Sequence, residues 1–341
     1  MSTAKALASE LGVSIATVSR ALNGKPGISP RLREHILNEA AQRNTYISQA
    51  ARMLATSKSQ NICFALYHLP GPVNQDPFYF QVLMGLEAEI RKAGLNLTIE
   101  LLDDDAIKDP ESWRIVREKR ADGIILNGPF VPTSFIVKLN ALGVPVVLID
   151  NFLDVVSVDA VVAGDKSGAE EVARHIIELG HRKVVIFSGP QDWYSNKERV
   201  AGFISSLKTS GVKNPSVYYE ADTTFESGKA LYKLAKKGKA TAILAVNDAM
   251  AMGAMDAALA DGLIIPRDLS ITGFDDVDSA ANWTVPLTTV QIPKNFIGRS
   301  AGRILWSRID DPQAPRQRVD IGAKLIVRQS TGKAPQKRVS S

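Results

Sequence analysis

The side chains of this chain that are able to do chemistry fall in a few short stretches. "DPFYF" brings Phe78 and Tyr79, "WYSNKERVAGF" brings Trp193, Ser195 and Arg199, "VND" brings Asn247 and Asp248, and "GFDD" brings Asp275 and Asp276. Carboxylates, an amide and a guanidinium can bracket adjacent hydroxyl groups, because together they put donors and acceptors on neighbouring atoms. Aromatic faces can stack on the apolar face of a sugar or on a flat ring. Near the N-terminus "VSIATVSRALNG" offers a second chemistry. Thr17 and Ser19 suit phosphates or bases, Arg20 can reach a guanine edge with two hydrogen bonds, and small residues such as Ala16 permit close approach.

Catalytic chemistry is not expected. The sequence has no Walker loop, no G-x-G-x-x-G after a strand and no G-x-S-x-G elbow. His35, His68, His175 and His181 lack metal-ligand spacing, and His181 in "ELGHRKV" reads as a residue that caps or packs at a helix end. Cys63 is the only cysteine and sits in "ICFALY", where it reads as a small core hydrophobe. Neither a catalytic residue nor a metal nor a cofactor is expected. There is no signal peptide and no apolar run long enough to span a bilayer, so a cytoplasmic protein with no membrane partner is expected. At 45% hydrophobic residues the chain can bury a sizeable core without disulfides, and 341 residues allow two or three domains of roughly 100–200 residues each.

Amphipathic helices must position the N-terminal group. In "TAKALASELG", Ala4, Leu7, Ala8 and Leu11 share one face and Gly12 ends the helix. Ser14 then caps a second helix, Ile15 to about Leu22, which buries Val18, Ala21 and Leu22 and turns Ile15, Ala16, Thr17, Ser19 and Arg20 outward. "NGKPG", opening at Asn23, breaks the chain. Ser29-Pro30 starts a third helix with Leu32, Ile36, Leu37 and Ala40 on its buried side. Two short helices joined by a tight turn and backed by a third make a helix-turn-helix, whose second helix enters the DNA major groove. Charge agrees with this. Residues 1–58 hold eight basic and three acidic residues while the remainder balances, so the whole excess of +5 sits here, suited to a polyanion.

"ELGVSIATVSRALNGKPGIS" resembles the DNA-binding head of the LacI/GalR family of bacterial transcription regulators. The resemblance implies that Ile15, Ala16 and Arg20 select operator bases, with Ser14, Thr17, Ser19 and Asn23 in the same DNA-binding set. It continues in "QAARMLATSKS", which is similar to the family's hinge helix. There Ala51 and Leu54 take the places of the small residue and of the leucine wedge that opens a base step and bends the duplex. The sequence departs from the family pattern at Ala6, where an acidic residue is usual, and in "TYISQ", where Ser48 and Gln49 replace Pro-Asn and the linker is one residue short.

From Asn61 onward, short apolar strands alternate with amphipathic helices. "NICFAL", "LNLTIEL", "DGIILN" and "VPVVLI" read as strands, and the rhythm restarts after Asp159 with the helix "KSGAEEVARHIIELG" and the strands "KVVIFSG", "SVYYE", "TAILAV" and "LSITGFDD". Repeated βα units build parallel sheets with helices on both faces, and two series predict two similar lobes. Ligands of such sheets bind beyond the carboxyl ends of the strands, where the polar residues named above fall. The family resemblance extends here and implies the fold of periplasmic sugar-binding proteins. The predicted fold class is therefore α/β: an all-α head and a two-lobed core of parallel sheets flanked by helices. The head spans 1–46, the hinge and linker 47–59, the core 60–333 and a disordered tail 334–341. Lobe 1 takes about 60–154 and 285–312, lobe 2 about 155–284 and 313–333. Crossings between lobes are expected near Asn151–Val158, Asn282–Leu287 and Asp310–Arg316.

Residue by residue, the resemblance implies that Phe78, Tyr79, Ser195, Arg199, Asn247 and Asp275 line an effector cleft; Trp193 is placed with them at the same strand end. Asp248 stands equally as a ligand contact or a helix cap. Phe80 reads as core. Thr223 in "ADTTFESG" replaces an aromatic that stacks on ligand in the family, with Phe225 close by. Arg199 is expected to line a solvent-filled cleft, so that its removal leaves the fold nearly intact.

These readings point to a ligand-responsive regulator, a repressor, that binds a pseudo-palindromic operator in double-stranded DNA as a homodimer. A sugar or sugar derivative is the expected effector. Its binding shifts the lobes and hence the hinge helices, which is linkage between two binding sites. The alternatives are a purine or other small metabolite as effector, or a different class: a free-standing sugar-binding protein, or a sugar-processing enzyme without a DNA role. The first of these would carry a signal peptide and no basic head; the second would show turnover. No leucine heptads follow Val327, so no tetramer through a tail coiled coil is expected.

Overall fold

The computed structural model describes residues 4–22, 26–43, 58–67, 77–212 and 215–335. The chain divides into two compact units, one carrying the head and the other holding the chain from Asn61 on, apart from Lys119–Ala121. The head has helices α1 (Ala4–Glu10), α2 (Ile15–Leu22) and α3 (Pro30–Gln42). Their apolar spacing closes one core: Leu7, Ala8, Val18, Ala21, Ile36 and Ala40 are buried together. Leu37 does not join it and is exposed; one residue on from Ile36 lies about 100° round the helix, off the buried stripe. The Ser14 hydroxyl accepts from the Thr17 amide at 3.1 Å and the Ser29 hydroxyl from the Leu32 amide at 3.3 Å, so both expected caps are in place. Arg43 pairs with Glu10 and Glu39, tying α3 to α1. Asn23 and the hinge stretch with Ala51 and Leu54 lie outside the described residues.

The second unit opens with β1 (Asn61–Tyr67), α4 (Pro77–Lys92), β2 (Asn96–Leu102), α5 (Asp104–Lys108), α6 (Arg114–Arg117), β3 (Gly123–Asn127), α7 (Thr133–Ala141), β4 (Val146–Ile149) and β5 (Asp159–Ala163). It continues through α8 (Asp165–Glu178), β6 (Val184–Ser188), α9 (Tyr194–Thr209), β7 (Ser216–Tyr219), α10 (Phe225–Lys237), β8 (Ala242–Ala245), α11 (Asp248–Ala260), β9 (Ser270–Thr272) and α12 (Asp278–Asn282). It closes with β10 (Thr289–Gln291), α13 (Lys294–Asp310), β11 (Arg318–Ile321) and β12 (Lys324–Ile326). Six strands form one parallel sheet in the order β11-β5-β4-β3-β1-β2, and four form another in the order β7-β6-β8-β9; β10 pairs antiparallel with β12. The central strands β3, β4 and β5 are buried at every residue, as parallel strands between two helix layers must be. On the first lobe α4 and α13 pack backbone to backbone: a side chain at Gly85 would run into the Asn295 carbonyl, and one at Gly298 into that of Val82.

The first lobe reaches further along the chain than the sequence suggests. β5 and β11 join its sheet, Arg318 standing opposite Ala160, and isolated bridges hold Thr288 and Gln291 to the end of the second sheet. The chain therefore crosses after Ala163, between Gln291 and Lys294, and after Ile321, each later than expected. "DAVVA" and "RVDI" are short runs with no period of their own; their partners make them strands. A buried ion pair fixes this edge, Arg308 gripping Asp159 with Nε and Nη2 at 2.8 and 3.2 Å while also donating to the carbonyls of Pro312, Ala314 and Pro315.

Ala334, expected to open a disordered tail, is instead held against the core. His175 Nε2 lies 3.0 Å from the Thr331 hydroxyl, buried His181 puts Nε2 3.0 Å from the Gly332 carbonyl, and the Ala334 amide donates to the Leu179 carbonyl at 2.9 Å. A buried imidazole needs partners, and this polar segment supplies them. Among the described residues no helix is long and apolar enough to cross a membrane.

Candidate functional site

On the head, α2 presents Ile15, Ala16 and Arg20 to solvent, while Thr17 and Ser19 are half-buried. Ile15 is 51% exposed at the start of the helix, where an apolar side chain suits a thymine methyl. The Ser14 hydroxyl is already engaged, capping α2 and lying 2.9 Å from the Thr17 hydroxyl.

In the core, the carboxyl ends of both sheets converge on Arg199 of α9. Its Nε donates to Asp165 Oδ1 at 2.7 Å, and its Nη1 donates to the Val246 carbonyl at 2.6 Å and stands 3.1 Å from Asp275 Oδ1. The guanidinium also covers the Phe274 ring at 4.0 Å. Only 5% of Arg199 is exposed, so it is a buried hub and not the solvent-lining side chain expected. Asp150, just past β4 on the first lobe, accepts a hydrogen bond from Ser195 of the second. Asp150 (φ 57°) and Asp275 (φ 111°) both hold left-handed backbone conformations, which non-glycine residues keep only where the surroundings impose them.

Burial disfavours the charged carboxylates here, and they crowd one another. Asp150 is pushed up to about 8, by burial first and then by the Asp165 charge. Asp165 is pushed up to about 6 by burial, with Arg199 pulling the other way. Burial, and then the Asp275 charge, raise Asp248 to about 8. Asp275 itself is raised by burial against the pull of Arg199 and Lys294.

An aromatic wall runs beside this cluster. Phe78 meets Tyr79 edge-on with ring centres 5.2 Å apart, Tyr79 lies 6.4 Å from Phe130, and Phe130 meets Trp193 of the other lobe edge-on at 4.5 Å. Gly128 (φ 102°) makes the approach possible: a side chain there would press on the Phe130 ring and the Tyr79 hydroxyl.

The structure thus brings together Phe78, Tyr79, Trp193, Ser195, Arg199 and Asp275, and adds Asp150, Asp165 and Phe130. Strand-end logic could have found Asp150 in "VVLIDN"; Asp165 and Phe130 carry no local signal. Asn247 stands at the end of β8, where its Oδ1 caps α11 by accepting from the Met250 amide at 2.9 Å and its Nδ2 donates to the Thr223 carbonyl at 2.9 Å. Asp248 departs from the helix-capping role, which Asn247 takes. It is buried, it does not cap, and its two oxygens accept from the Thr289 hydroxyl and from the Val277 amide at 2.9 Å, bracing the loop after β9. Phe80, expected in the core, is 45% exposed on α4, since Tyr79 takes the inward position. Phe225 rests edge-on against Trp283 at 5.9 Å. Cys63 is buried and its thiol is pushed far above the ordinary range by desolvation. Among the described residues no group of three His, Cys, Asp or Glu could hold a metal ion.

Two family profiles match the chain: "Bacterial regulatory proteins, lacI family" over residues 3–49 and "Periplasmic binding protein-like domain" over residues 173–331. The probable HTH-type transcriptional repressor ExuR of Bacillus subtilis is 30% identical over 336 residues, 97% of this chain and 98% of its own. The crystal structure of the Lac repressor dimer bound to operator and the anti-inducer ONPF superposes with a TM-score of 0.81 at 24% identity, covering 96% of this chain and 98% of that one. A complex of the transcriptional regulator CelR with cellobiose gives a TM-score of 0.74 at 24% identity, covering 97% and 100%. Similarity that runs the full length of both chains, head and core together, makes this chain a member of the lacI family of bacterial regulatory proteins: a DNA-binding transcription regulator rather than an enzyme.

Proposed function

We propose that the chain is a cytoplasmic repressor that reads a pseudo-palindromic operator as a homodimer and changes its grip when a sugar enters the cleft. Ile15, Ala16 and Arg20 meet base edges, with Ser14, Thr17, Ser19 and Asn23 around them, and Ala51 and Leu54 act at the minor groove. Phe78, Tyr79, Trp193, Ser195, Arg199, Asn247 and Asp275 hold the effector, joined by Asp150 and Phe130. The observation that carries the effector reading is the buried Arg199–Asp165–Asp275 cluster beside a wall of aromatic rings that spans both lobes. Hydroxyls need that mix of donors and acceptors, and an apolar sugar face needs the rings. The cellobiose complex of CelR supports a sugar. Exposed Phe80 and Met84 on α4, with Ile99 and Leu101 on edge strand β2, support pairing of two first lobes.

The test begins with an operator selected from random duplexes. A panel of sugars and nucleobases is then screened by thermal shift and by fluorescence anisotropy on that operator. A sugar that both raises the melting temperature and changes operator affinity is the expected result. A hit confined to nucleobases overturns the sugar reading.

A further inference from the structure

We infer that the cleft selects its effector by charge, preferring a sugar with an ammonium substituent to its neutral parent and rejecting the sugar acid or sugar phosphate. The inference rests on the cleft reading above.

Four carboxyl groups gather at this point: Asp165 and Asp275 face the buried cation Arg199, while Asp150 and, behind them, Asp248 are held towards the neutral form by burial. Arg199 and the buried Lys294 already have protein partners. Arg199 spends Nε on Asp165 and Nη1 on the Val246 carbonyl, beside Asp275. Lys294 donates to the main-chain carbonyls of Asp275 and Asp276. A ligand carboxylate or phosphate arriving here would meet Asp165 and Asp275, which already share Arg199 as counter-ion, and like charges set side by side in a desolvated site repel.

Buried acceptors are left unpaired instead. Asp165 is 2% exposed, and its Oδ2 accepts no hydrogen bond. A hydroxyl or an ammonium can donate to that oxygen; an ionised acid cannot. Asn127 ends β3 fully buried with neither amide atom paired, which leaves the first lobe an unmet polar group at the same end of its sheet. The rings act in the same sense. The negative faces of Phe130 and Trp193 attract a cation and accept the C–H face of a neutral sugar.

The experiment uses the full chain with the gluco, galacto and manno skeletons, each as the neutral hexose, the 2-amino sugar, the uronate and the 6-phosphate, together with a nucleobase set. Calorimetry and thermal shift give the affinities. For the skeleton that registers, the amino sugar is expected to bind more tightly than the hexose, and the hexose about tenfold or more tightly than either acid. Asp165→Asn, which keeps the shape and removes one charge, is expected to narrow the gap between hexose and uronate; a cooperative melt shows that it has folded. An acid that binds as well as its neutral parent, or an amino sugar that binds more weakly than it, overturns the inference and leaves the sugar cleft standing. Silence from every neutral and aminated sugar overturns the inference as well, and a nucleobase hit then shows that the sugar reading has failed with it.

Discussion

Arg199 is stable out of water because Asp165, Asp275 and the Val246 carbonyl surround it. Removing it strands two carboxylates without their counter-ion. Arg199→Ala is therefore expected to cost about 3–5 kcal/mol of stability near pH 8. The loss should shrink towards pH 5, as the stranded carboxyls take up protons. Thermal melts across that range check it; a loss that does not change with pH would mean that the charges are not what the arginine holds together. Asp150 makes a second prediction. Its proton is held up to about 8 in the folded chain against an ordinary value of 3.8. Between those values the folded state binds more protons than the unfolded one, so this group's contribution makes stability fall as pH rises through the window and level off above it. Asp150→Asn should flatten part of that slope in pH-dependent denaturant melts. An unchanged slope would assign it to other carboxyls of the cluster.

At the scale of elements, α2 is the helix proposed to read the operator, and the Ser14 cap closes its first turn. Arg20→Ala should cost about 1–3 kcal/mol on the cognate site if the guanidinium grips a guanine edge. Anisotropy on cognate and random duplexes separates that from a phosphate contact, which would weaken both equally. Helix α11 is started by Asn247, which also holds Thr223. Asn247→Ala should cost about 0.5–2 kcal/mol through the lost cap, measurable in urea melts of the ligand-free chain and additional to any loss of effector.

For the whole molecule, residues 1–58, head and hinge together, hold all the excess positive charge, so operator affinity should fall steeply as salt is raised. Deleting residues 1–58 should abolish DNA binding and leave effector binding intact, since the core is a compact unit of its own. Exposed Phe80, Met84, Ile99 and Leu101 are the side chains proposed to pair two first lobes. Leu101→Glu is expected to yield monomers in sedimentation and to weaken the operator complex, while sugar-induced stabilisation persists. A variant that remains dimeric would place the interface elsewhere.

Much of this was legible in the sequence because it is local. Helical spacing in "AKALASELGVSIATVSRAL" fixes which faces of α1 and α2 are buried, since chain geometry sets the period, and the alternation of apolar strands with amphipathic helices fixes parallel sheets and puts polar residues at their carboxyl ends. What the tertiary structure decided is what depends on partners far away in the chain. Asp159 and Arg308 meet across the fold and make β5 and β11 part of the first sheet, although neither segment has a period of its own. Arg199 becomes a buried hub only when Asp165 and Asp275 arrive from two other elements. Tyr79 and Phe80 are neighbours of similar apolarity, and the packing of α4 alone turns one inward and leaves the other in solvent. Phe130 joins the site because Trp193 of the opposite lobe closes on it. Period is a property of a segment, whereas burial of a charge and the pairing of rings are properties of everything packed around it.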